Sequence, residues 1–244
     1  MKISVCLHLF YTDMFDIVTS YLNNLTRPYK LYVTLVDGFY TQEDIEKIKK
    51  YKTDVKIILV ENKGVDIGGF LRAFKEVDSD TDLILKLHTK KGIGLPENPS
   101  ALVRRRGMEV SLGHGRQWFH GLMKGVLSDE ARVNRILEKF QNDKNCGMIG
   151  YKLYNNSKIN QNEILKLCPL FGLNETFLDK TFVGGTIFWV RYNIIKKYFT
   201  DNVVQQLMNN TKLGYVIEPS PMHAIERIFG YVVSKENQNV MTPD

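Results

Sequence analysis

Leu83-Ile84-Leu85-Lys86-Leu87-His88-Thr89-Lys90-Lys91 is the stretch that decides how this chain folds. An apolar run passes into a cationic tail, which reads as a strand over residues 83–87 followed by a loop carrying two lysines. Open α/β sheets bind ligands beyond the carboxyl ends of their strands, so the tail marks a ligand site as well as a strand end. The same pattern repeats upstream. Residues 3–7, 31–36 and 55–60 read as strands, and residues 15–22, 41–51 and 67–77 as the helices between them. Such alternation predicts a parallel sheet with right-handed crossovers. Thr41 with Asp44 predicts a capping box, and Phe70, Ala73, Phe74 and Val77 predict a buried helical stripe.

The fold class is therefore α/β, with a Rossmann-like parallel N-terminal half over residues 1–91. Residues 92–244 read as a mixed, more helical half. There, 92–99 is a loop rich in Gly and Pro, 116–126 a helix around Trp118, and Ser128 the cap of a helix with the stripe Val133, Ile136, Leu137 and Phe140. A strand at 148–151, an Asn-rich stretch at 155–162 and one long strand at 182–190 follow. The last helix starts at Ser220-Pro221, an N-cap with proline in the first helical position. With no repeat and no low-complexity linker, residues 1–244 read as one domain.

Charge and composition narrow the function. Residues 86–124 hold eight of the chain's 33 Lys and Arg but two of its 27 acids, which leaves 25 of each outside. The whole net charge of +6 is thus local, with Arg104-Arg105-Arg106 at its centre, and marks an anionic partner. A chain of 244 residues, 43% hydrophobic, can bury a core without staples or metals. No apolar run reaches the ~18–20 residues of a membrane span, and Met1-Lys2-Ile3-Ser4 leads into a strand rather than a signal peptide, so a cytoplasmic protein is expected. Cys6, Cys146 and Cys168 are odd in number and far apart, which speaks against a disulfide framework or a zinc site. No nucleic-acid motif is present and the aromatics do not interleave with the basic tract, so a nucleic-acid-binding module is the weaker alternative.

Asn62-Lys63-Gly64-Val65-Asp66-Ile67-Gly68-Gly69-Phe70 joins the third strand to its helix. Its glycines and open helix start suit a ligand's phosphates, with Asn62 and Asp66 bonding a base or ribose. They suit a tight strand-to-helix turn equally well. This loop and His88-Thr89-Lys90-Lys91 follow consecutive strands, and so are expected near each other at one sheet edge.

Five motifs in order resemble those of the rhamnan synthesis protein F family. They are His8-Leu9-Phe10-Tyr11, the Asn62 to Phe70 loop, Lys86 to Lys91, Gly185-Thr186-x-Phe188-Trp189-x-Arg191, and His223-Ala224-Ile225-Glu226-Arg227-Ile228-Phe229-Gly230. The resemblance implies a GT-A-like glycosyltransferase of bacterial surface-polysaccharide assembly, with a nucleotide-binding half over 1–91 and an acceptor and catalytic half over 92–244. On this basis the donor-binding set comprises His8, Asp37, Asn62, Gly64, Asp66, Gly68, Gly69, Lys86, His88, Lys90 and Lys91. Tryptophans such as Trp118 and Trp189 are more often packing residues than sugar platforms, but Gly184-Gly185 leaves space for a pyranose beside Trp189, which is kept as a candidate. Glu226 is the expected general base with His223 beside it. Spacing alone favours an ordinary surface glutamate; the resemblance reverses that preference.

GT-A enzymes commonly place an Asp-x-Asp pair after a central strand to hold a divalent metal. Here His88-Thr89-Lys90-Lys91 takes that place, so lysines are expected to neutralise the leaving diphosphate and no metal or other cofactor is expected. Asp78-x-Asp80-x-Asp82 has metal-like spacing but precedes its strand, which places it at the opposite edge. The resemblance implies as partners a nucleotide-diphosphate sugar, with dTDP-rhamnose as donor, and a lipid-linked glycan at the inner face of the cell membrane. A catalytically inactive, sugar-nucleotide-binding subunit is the other alternative.

Overall fold

The computed structural model describes residues 1–91, 103–105, 108–110, 114–155, 158–214 and 219–243. In chain order the elements are β1 (Ile3–His8), α1 (Phe15–Leu22), β2 (Tyr29–Val36), α2 (Gln42–Tyr51), β3 (Lys56–Val60), α3 (Val65–Phe74), β4 (Leu83–His88), β5 (Val103–Arg105), β6 (Met108–Val110), α4 (His114–Leu127), α5 (Glu130–Asn142), β7 (Cys146–Gly150), β8 (Leu153–Tyr154), α6 (Gln161–Leu167), β9 (Phe182–Val183), β10 (Phe188–Arg191), α7 (Tyr192–Tyr198), α8 (Asp201–Asn209), α9 (Pro221–Lys235) and β11 (Asn239–Met241).

Seven strands form the central sheet in the order β11-β7-β10-β4-β1-β2-β3. The first four are mutually parallel, with His8 in register with both Thr34 and His88. β10 runs antiparallel to β4 and β7, and β11 parallel to β7. The chain moves outward from β1 through β2 to β3, then returns through α3 to β4 on the other side of β1. That reversal is a topological switch point, where the strand ends diverge and leave a crevice.

Two apolar layers enclose the sheet. Cys6 and Ile84 join one of them with Ile67 and Phe70 of α3 and Ile225 and Phe229 of α9. Val5, Leu7, Leu83, Leu85 and Leu87 join the other with residues of α1, α4 and α5. Because side chains alternate along a strand, Lys86 and His88 share the face of Ile84. The continuous hydrophobic run of a doubly covered strand thus carries a lysine and a histidine to the side where α3 and α9 lie.

Most N-terminal elements follow the sequence reading, and the capping box of Thr41 and Asp44 is formed with both of its hydrogen bonds. Four differences stand out downstream. The expected strand 182–190 is broken into β9 and β10, because Gly185 and Thr186 adopt φ of +82° and +52°. The cap of α5 is Asp129, whose side chain accepts from the Arg132 N–H, while Ser128 donates to Asp129. The short elements α6, α7 and β11 were not read from the sequence, nor was α8, although its Thr200 cap and its buried Val204, Leu207 and Met208 at helical spacing were there to be read. Strands β3 and β4 are consecutive in sequence but separated by β2 and β1 in the sheet.

Asp78, Asp80 and Asp82 do lie at the amino end of β4, paired with Lys30, Lys2 and the N-terminus. The expected loop at 92–99 and Arg106 lie outside the described residues; Arg104 and Arg105 fall in β5. Among the described residues no helix is long and apolar enough to cross a membrane.

Candidate active site

At the carboxyl edge of the sheet, four elements converge on one buried charge cluster. Lys86 of β4 is 0% exposed, and its ammonium donates to Asp66 Oδ2 at 2.6 Å, to the Thr186 carbonyl at 2.9 Å and to Thr186 Oγ1 at 3.0 Å. Thr186 Oγ1 in turn donates to Asp66 Oδ2 at 2.5 Å. His88 Nε2 faces the Gly185 carbonyl at 2.8 Å, a contact that requires its N–H there, and lies 3.9 Å from Asp66. Gly185 donates its N–H to Glu226 Oε1 at 2.7 Å, and Arg227 pairs with Glu226 Oε2 and with the His223 carbonyl.

Local sequence explains how each group arrives. Gly64 takes φ +79° at the start of α3, and a Cβ on Gly68 would lie 2.0 Å from the Lys63 carbonyl oxygen. A Cβ on Gly69 would lie 2.0 Å from His8 Nδ1, so glycine here lets α3 settle against β1 and bring Asp66 onto Lys86. Ser220 caps α9 through the His223 N–H, and His223 Nδ1 pairs with Ser220 Oγ at 2.7 Å. Glu226 follows one turn later, on the half-buried strip that it shares with His223, beside the buried Ile225, Ile228, Phe229 and Val232.

Burial sets the protonation states. It lowers the Lys86 and His88 pKa values, with Asp66 acting in the opposite sense on both, and it lowers His8 to about 4. For Asp66 burial alone would raise the pKa, but the charges of His88 and Lys86 and the hydrogen bonds of Lys86 and Thr186 outweigh it and hold the carboxyl well below its usual range. Glu226 moves the other way: burial raises it, and Arg227 and the Gly185 N–H offset that only in part. A carboxylate with a raised pKa is a better proton acceptor at neutral pH than an ordinary glutamate.

Several sequence expectations change. Lys86, expected to bind the donor, directs its three ammonium contacts to protein and positions Asp66 and Thr186. His88, 4% exposed, is likewise turned to the Gly185 carbonyl and holds that turn. Gly64, Gly68 and Gly69 are accounted for by the turn and by helix packing. His8 is buried, its Nδ1 2.9 Å from Thr34 Oγ1, and acts as a packing wedge under α3. Trp189 is 0% exposed, with Nε1 on the Val126 carbonyl, and offers no face to a sugar. Asn62 stands half-buried at the end of β3, its carbonyl bonded to the Gly214 N–H. It reaches the same sheet end as His88, and it is the helix α3, not strand adjacency, that links the two loops.

Lys90 and Lys91 do stand at the crevice. Lys91 is held by Asp13 and lies 5.1 Å from the Tyr11 ring centre. Lys90 is half-buried, near enough to His88 and Glu226 to depress both, and among the described residues its ammonium makes no ion pair. Along the same edge, Asp37 is exposed at the end of β2, next to an aromatic group that sequence reasoning passed over. Phe10 sits 4.9 Å from both Tyr11 and Phe39, and Phe39 is 51% exposed. An aromatic residue in an Asp37-Gly38 turn, where polar residues are usual, was the available signal.

The donor set at the end of β4 does not fit a divalent cation. It consists of a buried imidazole, a threonine and two lysines, and Asp66 is engaged by Lys86 and Thr186. Among the described residues no group of three or more His, Cys, Asp or Glu side chains is placed to hold a metal.

Fold and site together define an α/β protein in which, at the switch point of its sheet, a buried carboxylate of raised pKa lies near a lysine that makes no ion pair among the described residues. The model of the rhamnan synthesis protein F family matches residues 1–238, and the chain belongs to that family. Two curated relatives, the WxcX proteins of Xanthomonas campestris pv. campestris strains ATCC 33913 and B100, are each 24% identical over 253 residues. The match covers 98% of this chain and 32% of each relative, so the chain spans about a third of their length. Among solved structures, TarS 1-349 of S. aureus is similar with a TM-score of 0.42 and 13% identity, covering 99% of this chain and 57% of that one. Its complex with UDP gives 0.38 and 12%, covering 90% and 59%.

Proposed function

We propose that this chain is a GT-A-like glycosyltransferase domain that moves a sugar from a nucleotide-diphosphate donor to a growing surface polysaccharide, with inversion and without a divalent metal. Glu226 carries the reading: a carboxylate fixed from both sides, of raised pKa, at the switch-point crevice beside Lys90. Ionised carboxylates have about four acceptor sites, so the two bonds to Gly185 and Arg227 leave room for an acceptor hydroxyl. In the reaction the acceptor oxygen attacks the anomeric carbon, its proton passes to Glu226, and the bond from that carbon to the diphosphate breaks. The leaving diphosphate keeps the electron pair, with Lys90 and Lys91 supplying the positive charge a metal would otherwise bring. The nucleoside is assigned to the Phe10, Tyr11 and Phe39 group beside Asp37, and dTDP-rhamnose is the donor favoured by family membership.

Glu226→Gln tests this directly. Turnover with dTDP-rhamnose should fall by ~10²–10⁴-fold, the usual contribution of a positioned base, while donor affinity holds. Turnover at the parent rate would move the base elsewhere, with Asp37 next to examine. One observation favours a second reading. Both Glu226 oxygens already engage the protein, as they would in a catalytically inactive, sugar-nucleotide-binding subunit, and in that case the parent protein binds the donor without turning it over.

A further inference from the structure

A cavity of about 280 Å³ is lined by Gln117, Trp118, Gly121, Leu122, Tyr151 and Lys152, and two of these, Trp118 and Leu122, pack against Gly185. We propose that it binds a sugar residue of the acceptor glycan, with Trp118 and Tyr151 as its stacking surfaces and Gln117 and Lys152 bonding its hydroxyls. This rests on the glycosyltransferase reading of Glu226 and extends it to the second substrate.

Three observations converge. The first is position. A Cβ on Gly185 would lie 2.5 Å from Leu122 Cδ1 and 3.0 Å from Trp118 Nε1, while the N–H of the same residue holds Glu226. Gly185 therefore touches both the base and two residues of the cavity wall, and its missing side chain lets Trp118 and Leu122 close on it.

The second is construction. Tyr151 follows β7 and is 39% exposed, although it is a large aromatic. It lies against α4 where Gly125 leaves space, since a Cβ there would stand 2.2 Å from Tyr151 Cβ, and a Cβ on Gly121, one turn earlier, would stand 3.9 Å from its ring. Lys152 Nζ sits 5.0 Å from the Tyr151 ring centre. Aromatic surfaces with a few polar tips suit a pyranose, which has apolar C–H faces and a rim of hydroxyls.

The third is order along the sheet edge. Reading from β2 through β1, β4 and β10 to β7 gives Phe39 and Asp37, then Phe10, then Lys90, then Gly185 with Glu226, and last Tyr151. The donor's nucleoside and phosphates occupy one side of the base in the proposed reading, so the hydroxyl to be deprotonated comes from the other side, where this cavity is.

Saturation-transfer NMR with methyl α-L-rhamnopyranoside, methyl α-D-glucopyranoside, methyl β-D-galactopyranoside and a rhamnose trisaccharide tests the site. Transfer to ring protons of at least one saccharide is expected. Binding should be weakened roughly tenfold or more in Trp118→Ala and Tyr151→Ser, the loss that truncating an aromatic anchor brings. Lys152→Ala, at an exposed position that should not disturb folding, should weaken it severalfold. No transfer from any saccharide, or equal binding in the folded variants, overturns the proposal. Thermal shifts with dTDP and UDP on the same samples separate the two readings. Nucleotide binding without saccharide binding sinks the cavity alone, and saccharide binding lost in the variants without nucleotide binding supports the cavity while sinking the donor assignment.

Discussion

Replacing Lys86 with Met keeps the stem of the side chain and removes the cation at the centre of the cluster. The change deletes an ion pair at 2.6 Å and two hydrogen bonds to Thr186, at 2.9 and 3.0 Å, from a group with no exposed surface. Breaking a buried pair by removing one partner costs ~3–5 kcal/mol, because the other charge is left uncompensated. Asp66 retains 21% exposure and the Thr186 hydroxyl, so the lower end, about 3 kcal/mol, is expected here. Without Lys86, burial dominates at Asp66 and its pKa rises, so the deficit of Lys86→Met should shrink as pH falls through the new value. A Lys86→Met/Asp66→Leu double variant, lacking both charges, should recover about 2 kcal/mol of the loss. Urea unfolding followed by circular dichroism and extrapolated to water measures all three. A single-variant cost below about 1 kcal/mol, or a double variant no more stable than the single, would refute the claim that this pair is buried and mutually dependent.

Three further outcomes can be measured. With dTDP-rhamnose as donor, transfer should persist in a strong chelator; complete loss restored by Mn²⁺ or Mg²⁺ would mean the phosphate site is misassigned and the carboxylates must be reconsidered. His8 is held near pKa 4 against 6.5 when unfolded, so the unfolded chain takes up its proton first as pH falls, and stability present above pH 6.5 is lost on the way to pH 4. Between pH 7 and 5 this one group removes about 2 kcal/mol, and urea midpoints that do not fall over that interval would contradict its burial. The basic tract at Arg104-Arg105-Arg106 should sediment the protein with anionic liposomes at low salt, each base contributing about 1 kcal/mol, and an Arg104/Arg105/Arg106→Ala variant should stay in the supernatant. Absence of sedimentation at low salt rejects the expected membrane association and leaves the transferase reading untouched.

What the sequence made legible was local. The first four strands and three helices were readable because each strand is a short apolar run and each helix carries its own cap or stripe, as Thr41 with Asp44 does. Lys86 and His88 were recognisable as site residues, but their roles were not. A lysine in an apolar strand reads as a ligand group until the partner is known, and Asp66 and Thr186 arrive from 20 and 100 residues away. The break at Gly184-Gly185-Thr186 did have a local signal, the Gly-Gly pair, but the hydrophobic residues on either side let it pass as a strand glycine pair. Trp189 misled because a tryptophan beside glycines can be a platform or a core residue, and only the opposite layer, with Val126 against its indole, decides between them. Glu226 was separable from an ordinary surface glutamate only through the family motif around it.

Val65 and Thr186 give the cluster its purpose. Both are β-branched residues with positive φ, +47° and +52°, a conformation in which such side chains are strained. One immediately precedes Asp66 and the other bonds to it, so the strain sits on both sides of a single contact. Strained backbone persists only where its surroundings over-determine it, and here those surroundings are the three bonds from Lys86 and the imidazole of His88. A buried ion pair is a poor device for stability, since well-packed apolar residues often do as well. Its consequence in this chain is geometric. By holding Thr186, it fixes the Gly185 peptide, whose N–H holds one oxygen of Glu226 while Arg227 holds the other. The buried charges therefore act one step removed from chemistry, setting the direction in which the proposed base faces the crevice.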